Sequence, residues 1–307
     1  LSDRYHSDES RSSSKAVTMW RLFWQRLAQD KSAQLCLLVI VMITIAGIGA
    51  PWFAPHDPTL TSIRLKFQPI SFHYPLGTDN LGRCVFSRLL FGIRTTVFYA
   101  IYAMGITLLI GWLMGMLAGY FHGKTDTVIM RLCDVVLSFP AEIMILALVG
   151  IMGPGIGNIL IAVILVKWAW YARMIRGIVR QYSHRHYIAY AQVIGAPPTH
   201  ILRRHLLPVT LAETIVLASS DIGSVILMIS ALSFLGLGVQ PPTPEWGNML
   251  SEAKNVMVLH PEQMLPAGIA ITVVVTAFNF WGDFLRDVFD PDNRQSVGDK
   301  YEQFTDA

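Results

Sequence analysis

Six long apolar runs constrain this chain more than any other feature. They lie at Ser32–Ala50, Thr95–Tyr120, Val135–Met152, Asn158–Ala172, Val209–Leu235 and Met264–Leu285. A bilayer core about 30 Å thick is crossed by roughly 20 apolar residues in a helix. Inside lipid every backbone N–H and C=O must find its partner within the protein, and runs of this length do so as helices. The fourth run is the shortest, but Trp168, Trp170 and Tyr171 at its end suit an aromatic belt. The composition agrees: 53% of residues are hydrophobic and only 15% charged, against about 25% charged in ordinary soluble domains. The expected fold is therefore all-α and polytopic, with six transmembrane helices.

Basic residues set the expected orientation. With the N-terminus inside, the inner segments hold 17 of the 24 Lys and Arg residues, the outer segments hold six, and Lys167 lies in a span. Positive charge gathers on the cytoplasmic side of membrane proteins, so both termini are expected there. The net charge of +3 is too small to point to nucleic acid. No cleavable signal peptide is visible, because the first apolar run begins only near Ser32, after a polar segment. Residues 1–18 read as a disordered polar tail.

Between that tail and the first span, Met19–Leu27 places Trp20, Phe23, Trp24 and Leu27 at i, i+3, i+4 and i+7. One apolar face flanked by Arg21 and Arg26 predicts a helix lying in the membrane interface. Gly111, Gly115 and Gly119 form a small-residue stripe on the second span, which lets a neighbouring helix approach closely. Cys36, Cys84 and Cys133 are scattered and match no metal-ligand or disulfide spacing. No internal repeat is found, which disfavours secondary-transporter folds built from paired halves.

The segment richest in functional information is the inner loop Arg173–Pro208. Tyr187–Ile194 reads as a helix, Gly195 ends it, and Pro197 and Pro198 forbid its continuation. A second short amphipathic turn, Ile201–Leu207, leads to Pro208. A helix–Gly–helix unit lying under a membrane bundle is a rigid body, suited to pass on the motion of a separate motor protein.

This loop is similar to the coupling loop of ATP-binding-cassette importer permeases, whose pattern is EAA, three residues, Gly, nine residues and I-x-L-P. Ala189-Tyr190-Ala191 stands at the EAA position, Gly195 follows after three residues, and His205-Leu206-Leu207-Pro208 falls at the expected distance. The Glu and the first Ala of the pattern are absent, and His205 replaces Ile. Leu76-Gly77-Thr78-Asp79-Asn80-Leu81-Gly82-Arg83 with Ser87-Arg88 resembles the segment before the second span in the dipeptide/oligopeptide/nickel subfamily, with Cys84 where Asp is usual. Ser233-Phe234-Leu235-Gly236-Leu237-Gly238 with Pro241-Pro242-Thr243-Pro244-Glu245-Trp246-Gly247 is a second signature of that subfamily, and Gly282-Asp283, Leu285-Arg286-Asp287 and Asp290-Pro291 a third. The match is to its "C"-type permease.

The resemblance implies the type I importer permease fold in a bacterial inner membrane. It implies a permease domain over 76–291 with the coupling loop at 173–208, preceded by the interfacial helix, first span and start of a periplasmic segment over 19–75, and followed by a cytoplasmic tail at 292–307. It implies a heterodimer with a second, homologous permease, two ATPase subunits that bind ATP and Mg, and an extracytoplasmic solute-binding protein. Tyr187, Ala189, Tyr190, Ala191, Gly195, Ala196, His205 and Pro208 are then the ATPase-coupling residues. The stretch Lys167–Arg176 looks most like nickel and metal-chelate permeases, which makes nickel or a metal–metallophore complex the expected cargo and a di- or oligopeptide the alternative.

Other chemistry was weighed residue by residue. Gly119-Tyr120-Phe121-His122-Gly123-Lys124-Thr125 resembles a phosphate loop but has one residue too few between its glycines and follows a membrane helix rather than a strand. The chain is therefore expected to hold no nucleotide, no cofactor and no catalytic site of its own. His184, His186, His200 and His205 cluster in the loop without Cys or carboxylate at matching spacing, so no metal site is expected. Charged residues within spans usually face a bundle interior or a cavity. On that ground Glu142, which follows Pro140, and Ser220 with Asp221 are candidates for the lining of a translocation path. Lys167 and Glu213 read as lying nearer span ends, within snorkelling reach of the surface.

Overall fold

The computed structural model describes residues 23–183 and 185–289, with the Gln192 side chain excluded. The expected tails, Trp20, His184 and Asp290-Pro291 lie outside the described residues. Helix α1 (residues 23–29) leads into α2 (Lys31–Ile48), whose start is capped by Asp30 accepting from the backbone N–H groups of Ser32 and Ala33. A short helix α3 (Ala50–Phe53) follows, then a largely irregular segment to Cys84. The second span is α4 (Val85–Ile93) continued through a π-helical turn, Arg94–Phe98, into α5 (Tyr99–Phe121). Next come α6 (Gly123–Leu137), α7 (Ala141–Met152) and α8 (Ile156–Ser183). The short helices α9 (His186–Val193) and α10 (Pro198–Ile201) lead through a second π-helical turn, Leu202–Leu206, to α11 (Leu207–Phe234). Helix α12 (Trp246–Lys254) and α13 (Leu265–Phe289) complete the chain.

Among the described residues, five helices or continuous helix runs are long and apolar enough to cross a membrane alone, and α6 with α7 forms a sixth candidate bent by 82°. Helix register shows that this bent pair does cross. A Cβ at Gly111 would lie 2.6 Å from Tyr171 Cβ, one at Gly115 2.8 Å from Ile175 Cβ, and one at Gly119 2.7 Å from Val179 Cβ. The glycine stripe thus packs on α8 at a constant offset, so α5 and α8 run parallel. The chain between them must return to the face where α5 began. There Gly155 N–H donates to Leu237 O at 2.9 Å, and Thr95 Oγ1 to Pro244 O at 2.6 Å.

Three expected boundaries shift for physical reasons. The third run, Val135–Met152, is two helices rather than one, because Pro140 has no N–H to donate and restricts Phe139 before it. The stretch between the second and third apolar runs is mostly helix α6, whose carboxylates find cations on α8. Asp126 accepts from Arg176 and from Arg180 (2.8 Å), and Asp134 from Arg173. The fourth span continues to Ser183, so these three arginines belong to α8 and not to the coupling loop. Part of the expected interfacial face is also redirected: Phe23 and Leu27 pack on α13 beside Phe284, Phe23 at 5.8 Å ring to ring, while Trp24 stays exposed.

At the end of the bundle away from α1, the sequence signatures act as clasps. Arg83 and Arg88, both 1% exposed, meet Glu252 of α12 at 2.6 and 3.0 Å, and Arg83 also meets Asp79 at 2.6 Å. Trp246 Nε1 donates to Leu89 O at 2.9 Å. Glu245 accepts from Thr96 Oγ1 and from the N–H groups of Gly247 and Asn248, capping α12. At the other end, Arg26 donates to Asp287 O at 2.6 Å, so the first and last described helices meet on one face.

Candidate functional site: the coupling segment and an intramembrane polar cluster

Six of the eight side chains of α9, from Tyr187 to Ala191 and Val193, are apolar or aromatic, so no orientation can bury them all. Ile188 and Ala191 turn inward and are buried, as are Ile201 and Leu206 beyond the turn. Tyr187, Tyr190, Val193 and Ile194 point outward, with Tyr190 69% and Val193 85% exposed. An apolar group of this kind rimmed by arginines marks a partner surface. The helix end is closed by Gly195 at φ +81°, with Ala196 N–H donating to Ala191 O at 3.0 Å. That 6→1 bond around a left-handed glycine is a Schellman closure. Pro198 then occupies the first turn of α10, where its missing N–H is no loss.

The structure brings several coupling candidates together. The Tyr187 and His205 rings lie 5.8 Å apart, and His205 and His200 5.9 Å apart. Tyr187, Ala189, Tyr190 and Gly195 are exposed, Ala196 is half-buried, Ala191 is buried, and Pro208 lies in the first turn of α11. Val193 and Ile194 were missed. The signal for them was present in α9, whose apolar residues leave no polar face to put outward. Among the described residues, no group of three or more His, Cys, Asp or Glu side chains is placed to hold a metal ion.

The second cluster lies between α8 and α11. Lys167 Nζ donates to Asp221 Oδ2 at 2.6 Å and to Ser224 Oγ at 3.1 Å, and Tyr171 OH donates to Asp221 Oδ2 at 2.7 Å. Ser224 Oγ also bonds Asp221 Oδ1. Lys167 is the twelfth of 28 residues in α8 and Asp221 the fifteenth of 28 in α11. At ~1.5 Å per residue both sit roughly 15–20 Å from the nearer helix end, well inside the two helices. The side chains are 14% and 26% exposed, so the pair opens onto the surface of the bundle.

The other candidates separate. Ser220 packs on Gly282 of α13, where a Cβ would lie 2.8 Å from its Oγ, and takes no part in the ion pair. Glu142 is exposed in the first turn of α7, just past the bend. Glu213 accepts from Tyr182 OH at 3.1 Å. The partners of Asp221 were legible only as a rule: opposite charges on two intramembrane runs should pair. Which residues meet depends on helix register, which periodicity does not provide.

Six apolar crossings, with an apolar-faced helical segment between the fourth and fifth, define a polytopic membrane protein of the permease type. The chain belongs to the binding-protein-dependent transport system inner membrane component family, which matches residues 107–295. The N-terminal TM domain of oligopeptide transport permease C matches residues 18–69. It is similar to the metal-staphylopine import system permease protein CntC of Staphylococcus aureus strain Mu50, 45% identical over 267 residues, 87% of this chain and 92% of that protein. It is also similar to the glutathione transport system permease protein GsiD of Pectobacterium atrosepticum, 41% identical over 276 residues, 89% and 91% of the two chains. GsiD of Escherichia coli O6:K15:H31 is 40% identical over the same length. The chain is therefore a permease subunit of an ATP-driven importer in the dipeptide/oligopeptide/nickel subfamily, a multi-pass protein of the inner membrane.

Proposed function

We propose that this permease imports a metal–metallophore complex by alternating access, powered by two separate ATPase subunits that bind ATP and Mg. The observation that carries the coupling part is the exposed apolar face of α9, held rigid by the Gly195 closure between α8 and α11. Tyr187, Ala189, Tyr190, Ala191, Gly195, Ala196, His205 and Pro208 form the coupling segment, with Val193 and Ile194 added to the surface that a motor subunit covers. Closing of the ATPase dimer on ATP moves this segment and, through α8 and α11, opens the path outward. A binding protein releases its cargo there, and hydrolysis resets the state.

The face carrying α1, α9 and the end of α13 is the cytoplasmic one, in keeping with the distribution of Lys and Arg, so both termini are inside. The opposite face, with residues 49–84 and α12, receives the binding protein. A second, homologous permease completes the path, which Asp221 and Glu142 line in this chain. Ser220, packed on Gly282, serves helix contact instead. The metal–metallophore cargo rests on the likeness to the staphylopine permease. The likeness to glutathione permeases at 40–41% identity favours a second reading, import of a short peptide.

The deciding experiment reconstitutes the complex in lipid and measures ATPase activity with binding protein presented with a nickel chelate or with short peptides. Stimulation by the metal-loaded form alone establishes the metal importer. Stimulation by peptide alone moves the cargo to the second reading.

A further inference from the structure

The ion pair between α8 and α11 is unusual in where it opens. A lysine and an aspartate within membrane-spanning helices would be costly against lipid, so the surface they reach is a cavity or a facing protein. Ser224, one turn on from Asp221, is exposed, as is Trp170, one turn on from Lys167. The opening therefore presents one cation, one anion, a hydroxyl and an aromatic ring side by side. At rest the two charges neutralise each other across 2.6 Å. Tyr171 OH and Ser224 Oγ hold the carboxylate oriented from either side.

We propose that Lys167 and Asp221 form a transit subsite for a zwitterionic, amino-acid-derived cargo, Lys167 taking its carboxylate and Asp221 its ammonium. This rests on the permease reading above and names the substrate class of its path. The physical reason is charge conservation during exchange. A cargo carrying both groups can swap partners with the pair, forming two ion pairs from two, with no charge left uncompensated at any stage. A cargo with a single charge would strand either Lys167 or Asp221 in a medium of low dielectric constant. The pair thus filters by charge pattern and stays neutral, and closed to stray ions, when empty. Peptides carry both groups, and a metal chelate carries them where its aminocarboxylate keeps an ammonium and a carboxylate outside the metal's coordination shell, so the subsite takes such chelates as well as peptides.

The test uses the whole complex in liposomes, with binding protein and two probes run in parallel: radiolabelled glutathione, and radiolabelled nickel presented with an aminocarboxylate chelator that keeps one ammonium and one carboxylate uncoordinated. The readout is probe imported per ATP hydrolysed. K167M/D221L removes both charges at similar volume, a change that commonly leaves folding intact. It should assemble, keep ATPase activity stimulated by the binding protein, and import at least tenfold less probe per ATP. K167D/D221K keeps the bridge but moves the long cationic arm to the other helix, so it should lower the same ratio even where the neutral variant does not assemble. Import at the wild-type ratio by either assembled variant overturns the proposal. A wild-type complex that shows no stimulated ATPase and imports neither probe would instead overturn the permease reading, which keeps the two failures apart.

Discussion

The α5–α8 seam makes a prediction that the same helix can control. A Cβ at Gly115 would sit 2.7 Å from Ala172 O and 2.8 Å from Ile175 Cβ, whereas a Cβ at Gly105, also on α5, would have no heavy atom within 4 Å. Ordinary carbon contacts lie at about 3.5–4.0 Å, so G115A forces the two helices apart by roughly 1 Å. Overpacking of this size costs about 1–3 kcal/mol. G105A has no such cost and gains up to ~1 kcal/mol of helix propensity. The assay is thermal unfolding in detergent, followed by a thiol-reactive fluorophore. Cys133 is fully buried in the cluster with Trp168, Ala169 and Ala172 and becomes reactive only when that packing opens. G115A should melt lower by on the order of 2–5 °C, and G105A at or above the wild-type temperature. If G115A melts no lower than G105A, the close parallel packing of α5 on α8 is wrong, and with it the register that requires α6 and α7 to return across the membrane.

The other predictions concern the two faces. Gly195→Pro cannot adopt φ +81° and should abolish transport while leaving the chain inserted, whereas Gly195→Ala, with open space around its Cβ, meets only a backbone cost of about 1–2 kcal/mol and should weaken coupling partially. Transport at the wild-type rate by the proline variant would refute the coupling role. Val193→Asp changes a side chain 85% exposed in the isolated chain, so insertion and melting should hold while co-purification with the ATPase subunits is lost. Unchanged co-purification would show that α9 is not the motor's surface. On the opposite face, burial pushes the Glu245 carboxyl above its ordinary value near 4.5, its hydrogen bonds notwithstanding. A raised carboxyl favours the folded form while protonated, so melting temperature should fall as pH rises from near 4.5 through the raised value. Glu245→Gln should flatten that slope, and an unaltered slope would assign it to another group.

What the sequence made legible follows from how local each signal is. The spans, the glycine stripe and the Gly195–Pro198 punctuation depend on residues within a turn or two of one another, and they survive in the structure. The bend at Pro140 was visible as a proline, but its 82° depends on α6 pairing its aspartates with α8. The extension of α8 to Ser183 was hidden because Arg173, Arg176 and Arg180 make the segment read as a polar loop. Their partners Asp126 and Asp134 lie about 40–50 residues away in sequence. Asp221 is legible as an intramembrane charge, while its pairing with Lys167, 54 residues earlier, is not. Chemistry that depends on which helix faces which is the part that residue patterns leave open.

The clasp around Arg83 and Arg88 also bears on how the protein is made. Asp79 is at hand as soon as Arg83 emerges, but Glu252 follows 169 residues later. At ~5–20 residues per second of synthesis, the arginines wait on the order of ten seconds or more for their second carboxylate. Until then Arg83 and Arg88 carry more positive charge than Asp79 can neutralise, and the segment that holds them cannot settle over the bundle. Completion of that face thus waits for α12, after five of the six spans have been made and with only α13 to follow. A nascent chain stopped before α12 would leave Arg83 and Arg88 without Glu252, an open and basic segment where the finished permease has a closed clasp.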